Sequence, residues 1–118
     1  YENKVIFQKD SLDLNEEDRQ IIYDIIVKEP NPYIVLTHGT DTMVQTAQKL
    51  LSIKQKTIVL TGSMTPARFK SSDALFNIAC AVTAVQTLRD GVYIAMNGKI
   101  FTPDKIRKNV PKSIFEEI

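Results

Sequence analysis

Tyr33-Ile34-Val35-Leu36-Thr37-His38-Gly39-Thr40-Asp41-Thr42-Met43 decides how this chain is read. Its first residues are apolar or aromatic and suit a buried strand. The run stops at Gly39, and a helical pattern follows at once through Val44, Ala47, Leu50 and Leu51. A hydroxyl and a carboxylate, Thr40 and Asp41, lie side by side between the two. In open α/β sheets, ligands bind beyond the carboxyl ends of the strands. A Thr-Asp pair there, above a helix N-terminus with free N–H groups, suits a small ligand bearing an amine and a carboxylate. The plainer reading is that Thr40 or Asp41 caps the helix.

The same alternation runs along the rest of the chain. Lys4–Phe7 reads as a short strand. Asn15 is a good N-cap, with Glu16, Glu17 and Asp18 suited to a first turn. Ile21, Ile22, Ile25 and Ile26 form one apolar face, and Pro30 and Pro32 end that helix. The helix after Gly39 is expected from Asp41 to about Ser52. Thr57–Thr61 is a further strand, closed by Gly62. A helix from about Ser72 to Leu88 is apolar nearly all round, so it is expected to be well buried. Asp90-Gly91 ends it. Val92–Met96 is a strand, Asn97-Gly98 a strong two-residue hairpin turn, and Ile100-Phe101 begin the return strand. Strands alternating with helices predict an α/β fold: a three-layer, flavodoxin- or Rossmann-like parallel sheet with helices on both faces and a C-terminal hairpin at its edge.

Composition narrows the function. At 118 residues the chain holds one domain at most, residues 1–118. It is 43% hydrophobic and 25% charged, with net charge +1, so nothing calls for nucleic acid or an anionic membrane as partner. Lys105, Arg107, Lys108 and Lys112 cluster near the end, which by itself describes a solvated face. The lone cysteine, Cys80, sits in an apolar helix; it excludes an internal disulfide and suits a reducing, cytoplasmic compartment. No signal peptide is visible, but the chain begins with Tyr1 and not with Met. The single histidine and single cysteine offer no metal-ligand set. Neither glycine-rich phosphate motif occurs. No cofactor is expected.

His38-Gly39-Thr40-Asp41-Thr42-Met43 followed by Thr46-Ala47 resembles the second signature of bacterial-type L-asparaginases. Thr57–Pro66, Ser72–Ile78 and Gly91–Gly98 resemble, in order, the family's next strand and loop, helix start, and strand with hairpin. The likeness runs from about Lys9 to about Asn109, and is greatest to short, single-domain asparaginase-like proteins.

The resemblance implies an amidohydrolase that converts asparagine to aspartate and ammonia with threonine chemistry. Thr40 and Asp41 fall on the family's catalytic threonine and aspartate, and Asp41 also on the residue that binds the substrate α-amino group. Counting without a gap from Met96-Asn97 puts the family's lysine on Lys108; a one-turn shift would choose Lys105. Such chemistry needs a hydroxyl, a proton acceptor and oxyanion donors, and a neutral lysine can be the acceptor. Ser11 matches the serine that binds the substrate α-carboxylate. Ser63 holds the place of a small residue whose backbone carbonyl meets the side-chain amide. Gly39 lets the backbone approach a ligand. His38 is declined as a base, since a lone histidine at a strand end suits a structural hydrogen bond.

In the family a further strand precedes the position of Tyr1 and ends in a Thr-Gly-Gly-Thr nucleophile motif. No such motif occurs in this chain. The first strand of the family fold is therefore expected to be missing, leaving a gap of about 10 Å between Lys4–Phe7 and Tyr33–Thr37. Either an altered strand order or a segment of another chain is expected to fill it. The alternative to an enzyme is a non-catalytic remnant or amino-acid-binding domain of the same fold. Relatives self-associate, so a homo-oligomer is expected.

Overall fold

The structure, a computed structural model, describes residues 13–64, 73–109, 112 and 114–118. The expected strand Lys4–Phe7, and with it the gap and what fills it, lies outside the described residues.

Helix α1 spans Glu16–Lys28 and opens with a capping box. The Asp18 N–H donates to Asn15 Oδ1 at 2.9 Å, and the Asn15 N–H to Asp18 Oδ2 at 3.2 Å. Strand β1 is Tyr33–Thr37, helix α2 Met43–Leu50, strand β2 Thr57–Thr61 and helix α3 Ala74–Val85. Strands β3, Gly91–Met96, and β4, Lys99–Phe101, follow. A 3₁₀ turn over Pro103–Lys105 leads to β5, Ile106–Asn109, and β6, Ile114–Glu117.

The main sheet has the order β1-β2-β3-β4. The first three strands run parallel in register, and β4 returns antiparallel. Asn97 and Gly98 both take positive φ, 56° and 74°, as a tight twisted hairpin turn requires. The fold is thus α/β, as the alternation predicts.

Strand period sorts the core into two halves. Ile58 and Leu60 of β2, with Val92, Ile94 and Met96 of β3, face α1 and α2. Val59 and Ala95 point the other way, onto Ala81 and Val85 of α3. Burying one such aliphatic side chain fully contributes about 1.5–3 kcal/mol. Helices therefore cover both faces of the sheet.

Three expectations need correction. The helix after Gly39 starts at Met43, not Asp41, with Thr42 at the N-cap position. Ile21 does not share the buried face of α1: it is exposed, Ile25 is half-buried, and only Ile22 and Ile26 are buried. The turn of α1 that meets α2 admits i and i+4 but swings their neighbours outward. Helix α3 is not buried all round. Leu75 is 80% exposed, Phe76 59% and Val82 42%. An outer-layer helix has one face on the sheet, and nothing among the described residues covers the other.

Beta strands 5 and 6 form a separate two-stranded antiparallel sheet that the periodicity did not announce. It is fixed to the rest by two apolar plugs, Ile106 and Phe115, each 3% exposed and part of the α1/α2-side core.

Candidate active site

The carboxyl ends of β1 and β2 meet closely. The His38 N–H donates to the Thr61 carbonyl at 2.9 Å, carrying the parallel ladder one residue beyond β1. Gly62 then passes directly over His38. A Cβ on Gly62 would stand 2.2 Å from the His38 carbonyl oxygen and 3.0 Å from Met43 Cε. This is the position where a glycine is obligatory: backbone faces backbone, and neither can yield.

Past this crossing the chain presents Gly39, Thr40 and Asp41. Thr40 is buried, at 8% exposure, while Asp41 is exposed. The third member arrives from β5. Lys108 Nζ lies 2.8 Å from Thr40 Oγ1 and 2.7 Å from Asp41 Oδ1. The Lys108 side chain is 16% exposed and that of Asp41 41%, so the pair sits at a rim and not in the interior.

Strand geometry explains why Lys108 reaches in and its neighbours do not. Residues two apart share a face of a strand. Lys108 therefore follows Ile106, whose side chain is plugged into the core, and lies opposite Phe115 across the ladder. Arg107 turns to the other face, where it pairs with Glu116 at 2.6 Å. That contact, with a second from Asn109, holds the Glu116 carboxyl below its ordinary range. Lys105 is exposed in the 3₁₀ turn. A cleft of about 380 Å³ opens beside the pair, between α2 and β5, with Asp41, Gln45, Gln48 and Lys108 on its walls.

The remaining candidates are placed as follows. Ser63 Oγ donates to Asp73 Oδ1 at 2.5 Å. Asp73 also accepts from the Met64 N–H and from Asn77 Nδ2, each at 3.0 Å. Asn77 is fully buried and donates to the Gly62 carbonyl at 2.8 Å, while its Oδ1 accepts from the Asn97 N–H at 3.2 Å. Asp73 and Asn77 thus tie the loop after β2 to α3 and to the β3–β4 turn. Gly39 is exposed, and its carbonyl accepts from the His38 ring. Ser11 lies outside the described residues.

His38 is buried, and both ring nitrogens are engaged: Nδ1 lies 2.6 Å from the Gly39 carbonyl and Nε2 2.8 Å from Thr46 Oγ1. Burial, aided by the Arg19 charge, holds this imidazole below its ordinary pKa, although the Gly39 contact pulls the other way. Sequence reasoning met Asp73 and Asn77 only as part of the stretch Ser72–Ile78 and gave neither a role, and it did not reach the contact of Arg19 with Thr46 at 3.1 Å. Polar residues on apolar helices, such as Asn77, were the available signal. Among the described residues, no group of three or more His, Cys, Asp or Glu side chains could hold a metal ion.

Comparison with known proteins places the chain in a family. Residues 1–114 match the family described as asparaginase, N-terminal. The chain is 33% identical over 112 residues to the L-asparaginase of Thermococcus kodakarensis, covering 91% of this chain and 34% of that protein. It is 35% identical over 94 residues to the glutaminase-asparaginase of Acinetobacter glutaminasificans, covering 75% of this chain and 28% of that one. The crystal structure of a probable cytoplasmic L-asparaginase from Campylobacter jejuni superposes with a TM-score of 0.85 at 35% identity, over 95% of this chain and 39% of that chain. This chain spans about a third of the length of the curated relatives it matches. It belongs to the asparaginase family, over the part that forms the family's N-terminal domain.

Proposed function

We propose that this chain carries part of the active site of an amidohydrolase that hydrolyses L-asparagine, or a closely related amide, to the acid and ammonia. The observation that carries the reading is the meeting of Lys108 Nζ with Thr40 Oγ1 and Asp41 Oδ1, at 2.8 and 2.7 Å, across 68 and 67 residues of sequence.

As an ammonium, Lys108 donates to both oxygens. As a neutral amine, the same nitrogen is placed to accept the Thr40 hydroxyl proton. Thr40 then takes a proton from the attacking hydroxyl, of water or of a second nucleophile. A C–O bond forms at the amide carbon, the C–N bond breaks, and the leaving nitrogen departs as ammonia with the proton returned to it; where the attacker is a protein hydroxyl, water then cleaves the ester formed, releasing the acid and restoring the hydroxyl. Asp41, at the rim, offers its carboxylate to a substrate ammonium. Gly39 leaves room for the ligand beside the backbone. The Ser63 side chain is occupied by Asp73, which supports a role for its backbone carbonyl. Ser11 would bind the α-carboxylate. No cofactor, nucleic acid or membrane enters this reading.

The same reading includes self-association and a cytoplasmic site of action. The uncharged outer face of α3, with Leu75, Phe76 and Val82 exposed, supports the first, and the single cysteine the second. No described helix is long and apolar enough to cross a membrane.

The test is ammonia release from L-asparagine by the complete gene product. Lys108→Met is expected to slow it about 10²–10⁴-fold, the ordinary worth of positioned acid–base help. Lys105→Met is expected to leave it unchanged. Loss with Lys105→Met and not with Lys108→Met would overturn the assignment. Binding of L-aspartate without any turnover would favour the amino-acid-binding domain instead.

A further inference from the structure

Behind the site runs a chain of three buried polar side chains that the reaction does not use. Arg19, on α1, is 6% exposed, Thr46, on α2, is fully buried, and His38 is 9% exposed. Arg19 Nε lies 3.1 Å from Thr46 Oγ1, and Thr46 Oγ1 lies 2.8 Å from His38 Nε2. His38 Nδ1 lies 2.6 Å from the Gly39 carbonyl.

The donor inventory fixes the direction of every bond. A guanidinium can only donate, so Thr46 Oγ1 accepts from Arg19. In a neutral imidazole whose proton lies on Nδ1, facing the Gly39 carbonyl, Nε2 accepts from the Thr46 hydroxyl. A carbonyl can only accept, so the His38 proton resides on Nδ1 and is donated to Gly39. Every buried polar atom of the chain thus has a partner, as burial requires. Burial lowers the pKa of the ring and so favours the neutral imidazole, the form that can accept at Nε2.

We propose that Arg19, Thr46 and His38 are positioning residues: they hold the Gly39 carbonyl, and through it set the orientation of Thr40 and Asp41 toward Lys108. The inference rests on the proposed amide-hydrolysing site only for its last step, the link to catalysis. Its physical content is separate. Helices α1 and α2 are joined through a threonine to the loop after β1, so the packing of two helices is transmitted to one peptide group. Arg19 also pairs with the exposed Glu16 at 3.0 Å, which anchors the far end of its guanidinium at the surface.

The tautomer is open to direct measurement, with the His38 ring signals identified by their loss in His38→Gln. In two-dimensional ¹⁵N–¹H correlation spectra of the complete gene product, His38 is expected in the Nδ1–H form near neutral pH. Free histidine favours the opposite form. Thr46→Val should abolish that signature, and Thr46→Ser should retain it. Backbone order parameters at Gly39, Thr40 and Asp41 should fall in Thr46→Val from the rigid range of about 0.85 to below about 0.6, and recover in Thr46→Ser. The affinity for L-aspartate should weaken at least tenfold in the first variant and stay within twofold in the second. An Nε2–H tautomer in the unaltered protein overturns the proposal whether or not any variant folds. So does an unchanged order parameter at Thr40 in a folded Thr46→Val protein. Absence of aspartate binding in the unaltered protein would count against the proposed function alone, since tautomer and order parameters would still decide the positioning role.

Discussion

Two regions meet at Lys108, and they are built differently. Thr40 and Asp41 stand on the end of a parallel sheet. Behind them lie the Gly62 crossing, the β1–β2 ladder and the Arg19–Thr46–His38 chain. Lys108 stands on a two-stranded hairpin with its own sheet, docked through Ile106 and Phe115. An isolated two-stranded hairpin is marginal in water. One side of the site is therefore framed by the core, and the other depends on two apolar plugs. Site integrity and fold stability are therefore expected to be separable here, with the hairpin undocking before the sheet melts.

Phe115→Ala is expected to separate the two regions most strongly. Removing a buried phenylalanine costs about 3–5 kcal/mol. The hairpin should undock and Lys108 should leave Thr40. In hydrogen-exchange mass spectrometry, peptides covering β5 and β6 should lose protection while β2 and β3 keep theirs. Equal loss in both would show one cooperative unit.

The converse change is Gly62→Ala. Its methyl group meets the His38 carbonyl with no room to yield, and overpacking of this kind costs about 1–3 kcal/mol or more. Here the global denaturation midpoint should fall, because the main sheet itself is strained. A midpoint equal to that of the unaltered protein would mean that the two strand ends are less tightly joined than their geometry indicates.

A smaller effect separates the regions by pH. The folded-state pKa of His38 is lowered below 6.5, chiefly by burial. The unfolded chain therefore takes up this proton first, and stability rises with pH across the window. The contribution is fully present above about pH 6.5 and is lost as pH falls through the folded-state value. Urea midpoints between pH 7.5 and pH 5 should show this slope in the unaltered protein and a shallower one in His38→Gln. Matching slopes would remove His38 from the account.

Much of this architecture was legible because local signals agreed. Asn15 with Asp18, the apolar strands ending at Gly39 and Gly62, and Asn97-Gly98 each specify backbone by their own chemistry. The α3 reading failed because an apolar helix announces what it can bury, not what is present to cover it. The hairpin of β5 and β6 was hidden by charge. Arg107, Lys108 and Lys112 read as a solvated face, and the period-2 link between Ile106 and Lys108 shows only once a partner strand is known. Lys108 itself was reached by the family resemblance and the count from Met96, not by any property of its surroundings in sequence. The buried chain through Thr46 was beyond reach, since it joins residues 27 and 8 positions apart across three elements.

Thr40 and Lys108 are expected to act as one unit across the two regions. A double-mutant cycle on kcat/KM for L-asparagine, in the complete gene product, tests it most directly. Residues that share one proton-transfer step are strongly non-additive. The account predicts that Thr40→Ala combined with Lys108→Met is no slower than the slower single variant. Losses that multiply, so that the double variant falls by the product of the two single effects, would contradict it.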